Sequence, residues 1–151
     1  MLKFTDIDFN AVWQETFGWN AAGDTDNRKF NDQAENDFWV RLAPRYTQEY
    51  NLNHDTGLIA DKLAGLLGRN KTILEMGCGL DFSPAMLAVL EERRPAEGIG
   101  NIRTQTGKWE DFTTDAVFDY IVSVNSLYRI RDIKSALLKM HAYSTQGFII
   151  V

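Results

Sequence analysis

The stretch from Lys71 to Leu90, KTILEMGCGLDFSPAMLAVL, limits the fold more than any other part of the chain. Thr72 to Met76 is a short apolar run with β-branched residues, bounded by glycine, and it reads as a buried strand. Gly77-Cys78-Gly79 follows, with two glycines free to take positive φ and to bring backbone N–H groups close to a ligand. Ser83 and Pro84 then mark a helix start, serine as N-cap and proline at the first helical position. The helix continues from Ala85 to Arg94, with Met86, Leu87 and Leu90 on one face. Strand, glycine turn and helix in this order form the local architecture of nucleotide-type cofactor sites in open α/β sheets.

The flanking segments supply more of such a sheet. Asn101 to Gln105 has strand-like alternation after a helix end at Glu91 to Gly100, where Pro95 and two glycines act as breakers. Val117 to Val124 is almost continuously apolar, as in a parallel strand buried on both faces. Asp132 caps a helix with the stripe Ile133, Leu137 and Met140, and Gly147 to Val151 reads as a last strand. Upstream, Phe4 to Trp19 carries a helical stripe of Phe9, Val12, Trp13 and Phe17, and Asn20 to Asp32 reads as a loop. Ala34 to Leu42 is a second helix stopped by Pro44, and His54 to Leu67 a third ending at Gly68.

Composition removes several function classes. At 151 residues, 44% apolar and 25% charged, the chain suits one folded domain and not a disordered one. A net charge of −5 without a dense basic run argues against unaided binding to nucleic acid or anionic membranes. The single cysteine, Cys78, excludes an internal disulfide. His54 and His141 lie far apart and no CxxC or HExxH spacing occurs, so no metal site is expected. The acids in MLKFTDIDFN and the lack of a long apolar run give a cytoplasmic expectation.

Several motifs together resemble the class I S-adenosylmethionine-dependent methyltransferases. LEMGCG is similar to their motif I, and LDFSPAML to the signature in which an acid ends strand two and S-P-x-M-L opens the next helix. GKWEDF is similar to the segment after strand three, VFDYIVSV to strand four, and LYRIRDIKSALLKM to the helix that follows. The resemblance implies an α/β, Rossmann-like, open and mainly parallel sheet flanked by helices, with N-terminal helices added. The family normally separates motif I from the strand-two acid by a helix and strand, about 15–20 residues. Here Gly79 runs directly into Leu80-Asp81, so about four strands are expected, in family order 3-1-4-5 with the second slot vacant. Strand three closing onto strand one, a partner chain, or residues absent from this sequence would each fill such a gap. Residues 1–151 are expected to form one domain, 1–70 a helical cap and 71–151 the Rossmann-like core.

The resemblance also implies a site. The cofactor would be S-adenosylmethionine, with S-adenosylhomocysteine as product and a small molecule as acceptor. Its contacts would be Glu75, Gly77, Cys78, Gly79, Asp81, Trp109, Asn125 and Ser126, with Asp81 accepting bonds from the ribose hydroxyls. Tyr128 would face the substrate. Trp39 and Tyr46 join it because FWVRLAPRY resembles a stretch ahead of motif I in some bacterial members. Plainer readings stand beside these: Glu75 as a carboxylate binding local amides, Trp109 as a core aromatic, Asn125 as a turn former and the N-terminal aromatics as packing. Lys108 stands where the family commonly has an acid. No general base, and so no catalytic residue, is identifiable. A working methyltransferase is the first reading. The second is a scaffold that has lost the cofactor and binds a partner or itself, as a homodimer through exposed sheet edges. A nicotinamide dehydrogenase is disfavoured because G-x-G-x-x-G would need glycine where Phe82 stands.

Overall fold

A computed structural model describes residues 7–19, 31–46 and 55–151, without the side chains of 55 and 56. Helices α1 (Phe9–Thr16), α2 (Asp32–Leu42) and α3 (Asp55–Leu67) precede the sheet. Strands β1 (Ile73–Met76) and β2 (Leu80–Asp81), helix α4 (Pro84–Ala96), and strands β3 (Gln105–Thr106) and β4 (Phe118–Ser123) come next. Helix α5 (Ile133–Ala142) and strand β5 (Ser144–Ile150) complete the order. Of the loop expected over Asn20 to Asp32, residues 20–30 lie outside the described residues, as does His54. Asp32 itself opens α2, capped by the Asn31 side chain. Pro44 ends α2 as expected, within a 3-10 turn over Ala43–Arg45.

The five strands are parallel and lie in the order β3-β2-β1-β4-β5. The expected sequence of strands 3-1-4-5 is therefore present, and the slot expected to stand vacant holds Leu80–Asp81. Parallel neighbours usually need a crossover of a dozen or more residues, because the chain must travel back along the first strand. A two-residue strand that pairs only with Met76, the last residue of β1, needs no return journey. Three residues suffice. Gly77 makes the turn possible: its φ is +123°, and a Cβ there would stand 3.1 Å from Ser126 Cβ. Strand β3 pairs with β2 and does not close onto β1, so this chain's own residues fill the slot.

Burial follows the sequence pattern. Ile121, Val122 and Ser123 are consecutive and all buried, so the end of β4 is covered on both faces. The core joins Met76, Leu80 and Ile121 to Ile133, Ala136 and Met140 of α5, with Leu127 and Ile130 from the turn after β4. Asp119 fastens the opposite end of the sheet, accepting from Thr72 N, Thr72 Oγ1 and Gln146 Nε2 at 2.8–2.9 Å. Pro95, expected to end α4, sits inside its last turn, and Gly98 at φ +69° follows the helix. Strand β3 is shorter than the expected run. The α4 side chain Glu91 holds its approach, accepting from Thr104 Oγ1 at 2.5 Å. No described helix is long and apolar enough to cross a membrane.

Gly77→Ala should cost about 1–3 kcal/mol of unfolding free energy, because it forces a side chain into a left-handed conformation and against Ser126. Gly65→Ala, in α3 with open space at the added Cβ, should be neutral or stabilise by about 0.5–1 kcal/mol. Urea unfolding of the two variants checks the pair; equal effects would remove Gly77 from its role.

Candidate functional site

Ligands of open parallel sheets bind outside the C-terminal strand ends, near the switch in strand order. Here that region is built from the turns after β1, β2, β3 and β4. Glu75, near the end of β1, folds its carboxylate over the glycine turn. Its Oε2 accepts from Cys78 N at 2.7 Å and Gly79 N at 2.9 Å, while Gly77 N donates to Leu80 O at 3.0 Å. All three turn amides are thus committed within the protein. The expectation that they face a ligand is corrected, and the local reading of Glu75 describes its geometry. The turn presents glycine backbone surface instead.

Ser126 is also braced inward. Its hydroxyl donates to Met76 O at 2.7 Å, so the 2.6 Å contact with Ser123 places the donor on Ser123. This pair ties the end of β4 to the end of β1. Asn125, beside it, adopts φ +51°, and its N–H donates to Val151 O at 3.0 Å. Its side-chain amide has no hydrogen bond among the described residues, consistent with a turn former that leaves its polar group at the strand end.

Asp81 ends β2 with one carboxylate oxygen engaged, Oδ1 accepting from Ser83 N at 2.7 Å. The other oxygen has no protein partner among the described residues. Burial pushes its pKa up to about 6; the Ser83 amide and Arg129 oppose that shift, and Glu75 and Glu35 add to it. Ser83, completely buried next to it, leaves its hydroxyl without a hydrogen bond. The Asp81 oxygen is the acceptor that the end of β2 leaves open, while the Ser83 hydroxyl stays enclosed in the protein. Cys78 is exposed as a residue, but loss of water around the sulfur, and then the Glu75 carboxylate, push the thiol up. It is no nucleophile at neutral pH.

Trp109 is placed elsewhere than the resemblance implied. It is only 5% exposed and stacks on Phe112 at 6.0 Å, with Tyr143 edge-on and Lys139 Nζ 5.0 Å above the ring. The indole packs in the core because the segment after β3 folds under α5, and so Trp109 behaves as the packed aromatic of the plainer reading. Lys108 instead pairs with Asp32 of α2.

Tyr128 lines an open cavity of ≈ 360 Å³ at the ends of β4 and β5, with Asn125, Ser126, Trp13, Phe17 and Ile150 among its walls. A volume of this order suits a small molecule. Trp39 and Tyr46 do not line it; they lie 6.3 Å apart on α2 and the turn after it, and Trp39 Nε1 donates to Glu35 Oε1 at 2.8 Å. Trp13 and Phe17 take the place expected of Trp39 and Tyr46. Their helical stripe was the available signal, and packing accounts for only part of it. Trp13 also donates to Ile130 O at 2.7 Å, which seats α1 beside α5. No cluster of metal-ligating side chains occurs among the described residues.

Asp81→Asn keeps the acceptor for Ser83 N–H and removes the charge. A carboxyl whose folded pKa lies above its unfolded value adds stability below about pH 4 and loses it as pH rises through 6. The variant should therefore melt above the wild type at pH 7, with the gain disappearing near pH 4. Thermal unfolding at both pH values checks this; a variant less stable at pH 7 would contradict the burial of the charge.

Residues 56–151 match the family described as the methyltransferase domain. No curated protein matches the chain. Among solved structures it is similar to a S-adenosylmethionine-dependent methyltransferase from Clostridium acetobutylicum ATCC 824, at 18% identity and TM-score 0.56, over 74% of this chain and 56% of that one. It is similar to DhpI in complex with SAH at 17% identity and TM-score 0.57, over 77% and 67%. Coclaurine N-methyltransferase bound to N-methylheliamine and SAH aligns at 11% identity and TM-score 0.60, over 99% and 57%. The likeness concerns the fold, and the chain spans 56% of the length of the first of these structures.

Proposed function

The chain belongs to the methyltransferase domain family, and on that premise we propose that it binds S-adenosylmethionine and passes its methyl group to a small molecule. The observation that carries this is Asp81: a half-buried carboxylate at the end of β2, beside the glycine turn, with one oxygen free to accept from ribose hydroxyls. S-adenosylmethionine, when bound, supplies an electrophilic methyl on a sulfonium, so the protein mainly positions the two reactants. Asp81 holds the ribose, and Gly77 and Gly79 let the cofactor approach the backbone closely. Glu75 and Ser126 hold the turn and the end of β4 in place. Asn125 and Tyr128 face the acceptor, which enters the cavity between α1 and the ends of β4 and β5. Within residues 1–70, the described helices α1 and α2 act as a cap on the core formed by 71–151.

A second reading has its own observation. With all three turn amides bound internally and β2 reduced to two residues, the chain can be a methyltransferase-derived scaffold without cofactor. In that case it associates through the outer edge of β5, which carries no neighbouring strand among the described residues.

Calorimetric titration of S-adenosylhomocysteine separates the readings. The enzyme reading expects micromolar binding that weakens about tenfold or more, about 1.4 kcal/mol, in Asp81→Ala. A folded protein giving no heat, with cofactor-independent melting as the second method, would establish the scaffold reading instead.

A further inference from the structure

Helix α2 is fastened over the β2 end of the site by charged side chains. Arg129, in the turn after β4, places Nη1 3.0 Å from Glu35 Oε1 and Nη2 3.3 Å from Asp32 Oδ1. Its guanidinium carbon also lies 5.0 Å from the centre of the Phe82 ring, and Phe82 directly follows Asp81. Glu35 is 1% exposed and is held in its rotamer by the 2.8 Å bond from Trp39. Lys108 pairs with the same Asp32. Three segments, α2, the β2–α4 turn and the β4–α5 turn, therefore converge on one guanidinium.

Stability alone is a weak reason for such an arrangement. Burying an ion pair usually gains little over an apolar contact of the same shape, because both charges lose water. Phe38, Trp39 and Phe82 show that apolar side chains were available in these segments. Charge at this point has another use. Asp81 is acted on by two carboxylates, Glu75 from β1 and Glu35 from α2, and by one cation among the described residues, Arg129. Without that cation, burial and the two neighbours would favour the protonated carboxyl, a poorer acceptor for hydroxyl groups.

We propose that Arg129 is the positioning residue of the cofactor end of the site: it ties the Asp81–Phe82 turn to α2 and sets its positive charge over Phe82, the residue that follows Asp81. Glu35, 3.0 Å from Nη1, is the opposing charge from α2. This rests on the reading of Asp81 as the acceptor for cofactor hydroxyls.

The test is S-adenosylhomocysteine binding by calorimetry from pH 5 to pH 8, on the wild type and on Arg129→Gln, Arg129→Lys, Glu35→Gln and Asp81→Asn, each first checked for folding at pH 8. Wild-type affinity should rise with pH through about 6, as Asp81 ionises, and then level. Arg129→Gln should move that midpoint upward and weaken binding at pH 7 about tenfold. Arg129→Lys should hold the midpoint near the wild-type value. Glu35→Gln keeps the acceptor for Trp39 and removes a negative charge, so its midpoint should move downward. Asp81→Asn should bind weakly, without this pH dependence. A merely structural role would shift Arg129→Gln and Glu35→Gln in the same sense, as general losses of affinity with an unmoved midpoint, and that result would overturn the proposal. If Arg129→Gln does not fold, Arg129→Met takes its place: an upward midpoint supports the proposal, and an unmoved one overturns it. A wild type that binds no S-adenosylhomocysteine overturns the functional reading and this inference together, whereas a binding wild type with unmoved variants overturns this inference only.

Discussion

The carboxylate of Glu75 is the interaction on which the sheet depends. By drawing Cys78 N and Gly79 N onto one oxygen it coils the chain so tightly that Leu80 returns beside Met76. Hydrogen bonds of this charge-assisted kind contribute about 1.5–3 kcal/mol each, enough to hold a turn that short loops would otherwise leave open. The coil then becomes the support for the next strand. Gln105 N donates to Gly79 O and Gly107 N to Asp81 O, both at 2.9 Å, so β3 hangs from the turn itself. The step from β1 to β2 is made by one carboxylate and a glycine at φ +123°, with no helix between the two strands.

That short step divides the site. On one side of β1 lie Asp81, Phe82 and Ser83 under α2, a polar region closed by Arg129 and its carboxylates. On the other lies the cavity of Tyr128, Trp13 and Phe17, with aromatic walls and α1 as its cover. The Ser123–Ser126 pair stands between them, joining β4 to the Met76 carbonyl and fixing the distance from one side to the other. On the proposed reading the two reactants must meet in line, and this part-buried hydroxyl pair gives a fixed reference for both.

Much of this was legible in the sequence because it depends on local pattern. The apolar run at Ile121 and Val122, the Asp132 cap, the proline after Ser83 and the glycines of the turn each dictate their own geometry within a few residues. The strand order followed from the motif order. What pattern could not supply was any contact between distant segments. Lys108 stands where the resemblance implies an acid, and its partner is Asp32, 76 positions away. Trp109 has the same composition signal whether it stacks on a base or on Phe112, and only the fold of the segment after β3 separates the two. Glu35 drew no notice, since a glutamate in the first turn of a helix is ordinary on an exposed face. The vacancy at strand two was inferred from the usual length of a crossover, a rule that assumes the second strand is as long as the first.

The same carboxylate that builds the turn also decides where recognition must occur. The amides of Cys78 and Gly79 are occupied by Glu75, so on the proposed reading recognition of the cofactor falls on Asp81. Asp81 is poorly placed to carry it unaided: it is half-buried, close to Glu75, and favours its proton up to about pH 6. A shortened motif therefore requires a compensating charge nearby, and the nearest segment able to provide one is the turn that leaves β4. Arg129 occupies that turn, and two carboxylates of α2 hold it there. Helix α2 thus joins the sheet through Arg129, and on the proposed reading it steadies a carboxylate that burial and like charge would otherwise keep protonated.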